Sequence, residues 1–180
     1  IPAHYTKSRE LYRQALLVIE PSQIDLQNME IAEVHDSVSF LREIRKKYPE
    51  STPILIAEAD ALVRATLYEQ AIIIYSEIIM KIENDCKESL TIRSKKFIAM
   101  CKLPTPNYDE LFEEFLHNWN WGETFEPALL IRKIMIKNII RHIHNSKSEN
   151  FFIQLANINS LPNSIQQLFL QKVELVKFLA

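Results

Sequence analysis

Glycine is nearly absent from this chain, which has one glycine among its 180 residues. Globular proteins contain about 7% glycine, because tight turns, β-bulges and phosphate-binding loops need its freedom to adopt positive φ angles. The sequence therefore contains no P-loop, no dinucleotide-binding glycine motif and no glycine-rich nucleophile elbow. Eight prolines supply the breaks instead, so we predict helices joined by short polar or proline-marked turns.

The composition indicates a globular protein and excludes some kinds of partner. A hydrophobic content of 47% and a charged content of 24% are ordinary for a globular protein and indicate a packed core rather than disorder. A net charge of −2 gives no electrostatic signature of nucleic-acid binding. The longest mostly apolar run, 71–80, falls far short of the ~20 residues that span a bilayer. We therefore expect no nucleic-acid partner and no membrane insertion.

The two cysteines, Cys86 and Cys101, match no usual zinc-binding spacing and no disulfide framework. We expect both to be reduced thiols in a cytoplasmic protein, with no metal site and no cofactor. The chain begins with Ile1 rather than Met, so we expect it to be one part of a longer protein.

A four-residue pattern recurs along the chain with positions +0, +3, +7 and +10, which lie on one face of an α-helix. Its starts are 29, 34 and 40 residues apart, the period range of stacked helix pairs. The fourth occurrence matches the pattern at its first three positions and departs from it at the last. The four rows are Tyr5, Ser8, Tyr12, Ala15; Val34, Ser37, Leu41, Ile44; Tyr68, Ala71, Tyr75, Ile78; and Tyr108, Leu111, Phe115, Asn118.

Periodicity and breaking residues together predict an all-α fold with no β-strand. The predicted helices span 6–19, 34–48, 53–65, 68–83, 87–102, 109–118, 127–144, 151–158 and 164–180. Helix 127–144 is apolar on most of its circumference, so we expect it to be central and covered by 109–118 and 164–180. The only glycine, Gly122, is predicted to cap the end of helix 109–118.

The unit 53–84 resembles a tetratricopeptide repeat. Tyr68, Ala71 and Tyr75 match the second-helix pattern of that family, and Ala59 and Leu62 match its first helix. The resemblance covers about residues 1–118 and is strongest within 34–84. These residues are similar to repeats found beside bacterial glycosyltransferases and other envelope proteins. The chain departs from the family pattern in five respects. Four are substitutions, namely Leu55 for an aromatic residue, Glu58 for leucine, Thr66 for the turn glycine and Ile78 for a small residue, and the fifth is the missing terminal proline after Ile82.

The resemblance implies antiparallel helix pairs in a right-handed α-α superhelix over 1–118. Residues 119–180 would then form a C-terminal helical cap packed on the array, in one continuous domain. The first helices of such arrays line a concave groove, which would place four residues there: Ile56, Asp60, Val63 and Arg64. The resemblance thus implies a non-catalytic interaction scaffold in a larger protein. Its partner would be a protein or peptide, and a homodimer is a further option.

Two other functions remain open at this stage. The chain could be a regulatory or dimerising domain of a glycan- or envelope-modifying enzyme such as a glycosyltransferase. It could also be an all-helical enzyme, for which the candidate ligand cluster is His117, Trp119 and Trp121. No serine or cysteine lies in a recognisable triad context, so we expect the chain itself to be non-catalytic.

A basic group on helix 127–144 comprises Arg132, Lys133, Lys137, Arg141 and His142. These residues could meet a phosphate or an acidic partner. They are also what a mostly apolar helix needs for its one solvated stripe, and the sequence favours that interpretation. His142 and His144 are two residues apart and point about 200° from each other on a helix, so they do not share a metal ion.

Overall fold

The structure is a computed structural model that describes residues 34–82, 86–120 and 126–178. Within these ranges all regular elements are helical and none is a β-strand, which confirms the predicted all-α class. The elements are α1 (Val34–Lys47), α2 (Thr52–Arg64), α3 (Tyr68–Lys81), α4 (Lys87–Cys101), α5 (Tyr108–Asn120), α6 (Glu126–His142), a 3-10 turn (Ser146–Ser148), α7 (Glu149–Ala156) and α8 (Asn163–Phe178).

The predicted helix boundaries agree with these eight helices to within two residues at each end. The predicted helix 6–19 and the predicted cap at Gly122 lie outside the described residues. Among the helices that the structure describes, none has the length and apolar character that a membrane crossing requires.

The chain divides into two compact units, with the boundary between Lys81 and Ile82. In the first unit, α2 packs against both α1 and α3. Three small residues at this packing, Ala59, Ala61 and Ala71, are completely buried, and their size lets the helix axes approach closely. The larger core side chains are Leu41, Ile44, Ile54, Leu55, Leu62, Tyr75 and Ile78.

The turn between α2 and α3 is a Schellman motif. The backbone N–H of Leu67 donates to the carbonyl oxygen of Leu62 at 2.9 Å, and that of Thr66 donates to Val63 at 3.1 Å. Such a turn needs a residue in the left-handed conformation, and Thr66 supplies it with φ of 61°. This is the position at which the tetratricopeptide pattern has glycine.

In the second unit, α4 packs against α5 and α6, and α5 also contacts α6 and α7. Helix α8 packs mainly on α7. The rings of Phe152 and Phe169 meet there at an interplanar angle of 39°, with their centroids 6.2 Å apart. The expected cover of α6 by α5 is confirmed. The second main neighbour of α6 is α4 rather than α8, whose main neighbour is α7.

In the recurring row, positions +3, +7 and +10 are buried in α3 and α5, whereas the first residue, Tyr68 or Tyr108, is partly exposed. Ala71, Tyr75 and Ile78 are all buried in α3. In α5, Leu111 and Phe115 are completely buried, and so is Asn118, which occupies the polar last position of its row. The Asn118 amide is accommodated there because its Nδ2 donates to the carbonyl oxygen of Glu114 at 2.7 Å. The first row, from Tyr5 to Ala15, lies outside the described residues.

Candidate functional site

An apolar groove of about 520 Å³ lies between α6 and α8 in the second unit. We call it the α6/α8 groove. Its apolar lining consists of Ile136 and Ile140 from α6 and Ile165 and Leu168 from α8. All four side chains are partly exposed although they are purely aliphatic. The volume lies within the range of about 300–1,000 Å³ that is typical of ligand-binding clefts.

One border of the α6/α8 groove is cationic. Lys133, Lys137 and Arg141 line it from α6 and recur every four residues, so they form a row on one side of the helix. With a rise of 1.5 Å per residue, successive charges are about 6 Å apart along the helix axis and the row is about 12 Å long. The site therefore combines an aliphatic floor with a regular line of positive charge.

The three border cations form no ion pair with any residue that the structure describes. The contrast with other cations of the second unit is clear, because Arg93 and Lys96 both contact Glu114. Lys177 likewise contacts Glu149 and Glu174. A row of positive charges that the described residues do not neutralise produces a local potential that attracts anionic groups.

Lys172 connects the two walls of the groove. Its Nζ donates a hydrogen bond of 3.2 Å to the carbonyl oxygen of Ile140, and it follows Leu168 by one helical turn. This contact uses one of the last carbonyl groups of α6, which have no partner within the helix and are favourable sites for a cation. The bond therefore fixes α8 beside the end of α6 and keeps the groove formed.

The residues of the basic group predicted on α6 lie in different environments. Arg132 points away from the groove and belongs to an aromatic cluster. Its Nε donates to the carbonyl oxygen of Trp119 at 2.9 Å, its Nη2 donates to the same oxygen, and its guanidinium carbon lies 4.8 Å from the centroid of the Trp119 ring. Arg132 thus makes a cation–π contact that fixes the end of α5 against α6.

The two described members of the candidate ligand cluster, His117 and Trp119, lie in different environments. Trp119 is buried and stacks on Phe115 with a centroid distance of 5.5 Å and an interplanar angle of 13°. His117 is exposed, since residues two apart on a helix point about 200° from each other. Trp121 lies outside the described residues. A ligand role for these three residues stays a prediction.

The four residues expected to line a concave groove all lie on α2 in the first unit. Ile56 is buried, Val63 is partly exposed and Arg64 is exposed. Asp60 is partly exposed and accepts a hydrogen bond from the hydroxyl of Tyr75. Their role in binding stays a prediction, and part of the hydrogen-bonding capacity of Asp60 is used within the unit.

Each unit contains a buried glutamate held by two cations that are three residues apart on the preceding helix. Glu58 of α2 lies 3.5 Å from Nε of Arg42 and 3.4 Å from Nη1 of Arg45. Glu114 of α5 lies 3.3 Å from Nη1 of Arg93 and 3.5 Å from Nζ of Lys96. Both carboxylates are thus neutralised by neighbouring helices, as buried charges require. This arrangement explains how the first unit accommodates Glu58 where the family pattern has leucine.

Histidine and cysteine side chains show no arrangement for metal binding in the part of the chain that the structure describes, where no three His, Cys, Asp or Glu residues converge. Burial lowers the pKa of His142, and the positive charges of Lys102 and Arg141 lower it further. Burial also raises the pKa of the Cys101 thiol well above its usual range. Cys101 is therefore protonated at neutral pH, which is the state of an unreactive core thiol.

The sequence indicates both walls of the α6/α8 groove in part. The four-residue spacing of Lys133, Lys137 and Arg141 and the apolar character of Ile136 and Ile140 indicate the first wall. The expectation that helix 164–180 covers helix 127–144, with Leu168 among its contacts, indicates the second wall. The sequence does not single out Ile165, because a helical pattern alone does not specify which residue faces a given neighbour.

Comparisons with protein-family models, with curated proteins and with solved structures find no match to this chain. The function therefore has to be argued from the geometry of the two units and from their exposed surfaces.

Proposed function

We propose that this chain is a non-catalytic scaffold that binds another protein through an exposed helical surface. The observation that carries the proposal is the α6/α8 groove. Four aliphatic side chains remain partly exposed there, next to three cations that form no ion pair with a described residue. Exposed apolar surface of this kind is characteristic of interaction sites, particularly where polar residues border it.

The buried charges support a structural rather than a catalytic use of the ionisable residues. Glu58 and Glu114 are both held by cations of the preceding helix, and the hydroxyl of Tyr75 donates a hydrogen bond to Asp60. These groups therefore serve to join helices. An active site would instead orient such groups toward a cleft that a substrate can enter.

We further propose that the first unit is a tetratricopeptide-like element of a right-handed helical array. Short connections between α1, α2 and α3 favour antiparallel neighbours, and Thr66 adopts the left-handed conformation where the family pattern has glycine. The fully buried Ala59 and Ala71 fill the close-packing positions of that pattern. A cytoplasmic location is part of the same proposal, since Cys86 and Cys101 are thiols rather than a disulfide.

Affinity capture with the full chain as bait, followed by titration of each retained protein, tests the scaffold function. We expect at least one protein to bind with a dissociation constant in the micromolar range or tighter, about −8 kcal/mol or better. Replacement of Ile136 and Leu168 by serine should release it, with the circular dichroism spectrum unchanged. Failure to retain any protein above an unrelated helical bait would contradict the proposal.

The matched control replaces two exposed apolar residues of the first unit, Ile73 and Met80. Their side chains are 68% and 81% exposed and lie on the outer face of α3. Serine at both positions removes exposed apolar area without changing the α6/α8 groove. If only this variant loses the partner protein, the interaction surface lies on α3 and not in the α6/α8 groove.

A further inference from the structure

We propose that the α6/α8 groove receives an acidic amphipathic α-helix of a partner protein. In this arrangement the apolar face of the partner helix lies on the aliphatic floor, and its carboxylates meet Lys133, Lys137 and Arg141. The inference rests on the proposed scaffold function and specifies the chemical class of its partner.

The first argument is the form of the site. The floor lies between two helices, with Ile136 and Ile140 from α6 and Ile165 and Leu168 from α8. A cleft between two helices accepts a third helix whose apolar residues recur every three or four positions. The α6/α8 groove is therefore suited to an amphipathic helix that lies along it.

The second argument is charge complementarity. Lys133, Lys137 and Arg141 line the groove and form no ion pair with a described residue. Their spacing of about 6 Å equals the rise over four residues of a helix. Glutamate or aspartate residues four apart on a partner helix would therefore match the row charge for charge. A small amphiphile with one carboxylate would engage only one of the three cations.

The third argument is that the charges lie at the border and the aliphatic groups on the floor. Exposed charges at a border mainly accelerate association and select the partner, whereas buried apolar contacts hold the complex together. The binding free energy would thus come mostly from the aliphatic floor. Specificity for an acidic helix over a basic one would come from Lys133, Lys137 and Arg141.

The test uses the full chain and two fluorescent synthetic peptides of about 14 residues, roughly four helical turns. Both peptides carry leucine every three or four residues, and the flanking positions are glutamate in one and lysine in the other. Anisotropy titrations should show that the glutamate peptide binds at least about tenfold more tightly, which corresponds to about 1.4 kcal/mol. Its binding should weaken as the salt concentration rises, because exposed charges are screened.

The decisive variant carries Lys133→Glu, Lys137→Glu and Arg141→Glu, three changes on a partly solvated face. We expect it to lose about tenfold or more in affinity for the glutamate peptide and to prefer the lysine peptide. The matched control is Lys147→Glu, an exposed cation that does not line the groove, and it should leave both affinities unchanged. Amide chemical shifts of α6 and α8 should move on binding of the glutamate peptide.

Equal affinity for the two peptides, no binding of either, or an unchanged preference in the triple variant would overturn the acidic-helix assignment. Vesicles of phosphatidylglycerol and phosphatidylcholine form a separate arm. Binding to these vesicles without binding to the glutamate peptide would assign the cationic row to a membrane surface instead.

The capture experiment distinguishes failure of this inference from failure of the scaffold function. A partner protein that the triple variant retains as well as the natural chain leaves the scaffold function intact and removes the groove assignment. If the glutamate peptide binds but no partner protein is captured, the groove binds acidic helices and the scaffold function fails.

Discussion

The hydroxyl of Tyr75 donates a hydrogen bond of 2.6 Å to Oδ1 of Asp60 and thereby joins α3 to α2. The Tyr75 ring is buried in the core of the first unit. Burial, followed by the negative charge of Asp60, raises the pKa of Tyr75 far above its ordinary value of 10. The proton of this phenol is therefore held within the folded unit under conditions in which it would dissociate in an unfolded chain.

Tyr75→Phe is expected to destabilise the first unit at neutral pH by about 1.5–3 kcal/mol, the usual contribution of a hydrogen bond to a charged group. The change keeps the ring and removes only the hydroxyl donor. Urea unfolding followed by circular dichroism at pH 8 measures the difference. A variant as stable as the natural chain at this pH would show that water replaces the Tyr75 hydroxyl without loss.

The difference in the free energy of unfolding between the natural chain and Tyr75→Phe should become smaller at alkaline pH. A folded-state pKa above that of the unfolded chain gives stability that is complete below about pH 10 and is lost as the pH rises toward the folded-state value. The natural chain should lose up to about 1.4 kcal/mol per pH unit above pH 10 from this group, and Tyr75→Phe should not. Because all other groups are common to both proteins, a difference in stability that stays constant from pH 8 to pH 11 would contradict the assignment.

Thr66→Gly is expected to stabilise the first unit by about 0.5–1 kcal/mol. The left-handed conformation costs a residue with a Cβ atom about 1–2 kcal/mol, and glycine offsets part of this gain through the greater entropy of its unfolded state. Ala65→Gly is the matched control, because Ala65 has φ of −77° and gains nothing from glycine. Thermal unfolding should move in opposite directions for the two variants, and a lower melting temperature for both would exclude strain at Thr66.

The helices and some of their partners could be predicted from the sequence. Proline, polar turns and rows such as Tyr68, Ala71, Tyr75 and Ile78 gave helix boundaries and buried faces, because both depend on local periodicity. Packing also depends on contacts that are remote in sequence. The α7–α8 contact between Phe152 and Phe169 is of this kind and was not predicted, whereas Leu168 was expected to face α6 and lines the groove there.

The charged residues were the hardest to interpret from the sequence. Glu58 stood out only as a departure from the family pattern, and its function became visible through its contacts with Arg42 and Arg45. The sequence favoured an interpretation in which the basic residues of α6 form a single solvent-exposed face of the helix. In the structure Arg132 instead contacts Trp119, whereas Lys133 lines the groove, since adjacent residues point about 100° apart on a helix.

Glu114→Gln should destabilise its unit more than Glu58→Gln does. The side chains of Arg93 and Lys96 are 16% and 12% exposed, so water compensates little for removal of the Glu114 charge. Lys96 keeps Glu110 at 3.4 Å, and we expect a cost of about 3 kcal/mol, the lower end of the range for a broken buried ion pair. Arg42 and Arg45 are 50% and 31% exposed and regain water, which limits the loss for Glu58→Gln to about 1–2 kcal/mol.

Native-state hydrogen exchange can assign these two losses to their helices. Amide protection should fall in α4 and α5 for Glu114→Gln and in α1 and α2 for Glu58→Gln. Equal losses in the two variants would show that exposure of the partner cations does not determine the contribution of the buried carboxylate.

Phe169→Ala is expected to destabilise the second unit by about 3–5 kcal/mol, the usual cost of removing a buried phenylalanine side chain. Phe169 is fully buried against Phe152, and α8 depends on α7 for most of its cover. The adjacent Leu170 is 42% exposed, so Leu170→Ala should change the stability by no more than about 0.5 kcal/mol. Urea unfolding of the two variants measures both effects, and hydrogen exchange should locate the larger one in α7 and α8. Similar losses for Phe169→Ala and Leu170→Ala would mean that α8 is not anchored through Phe169, which would also remove the fixed wall that the α6/α8 groove requires.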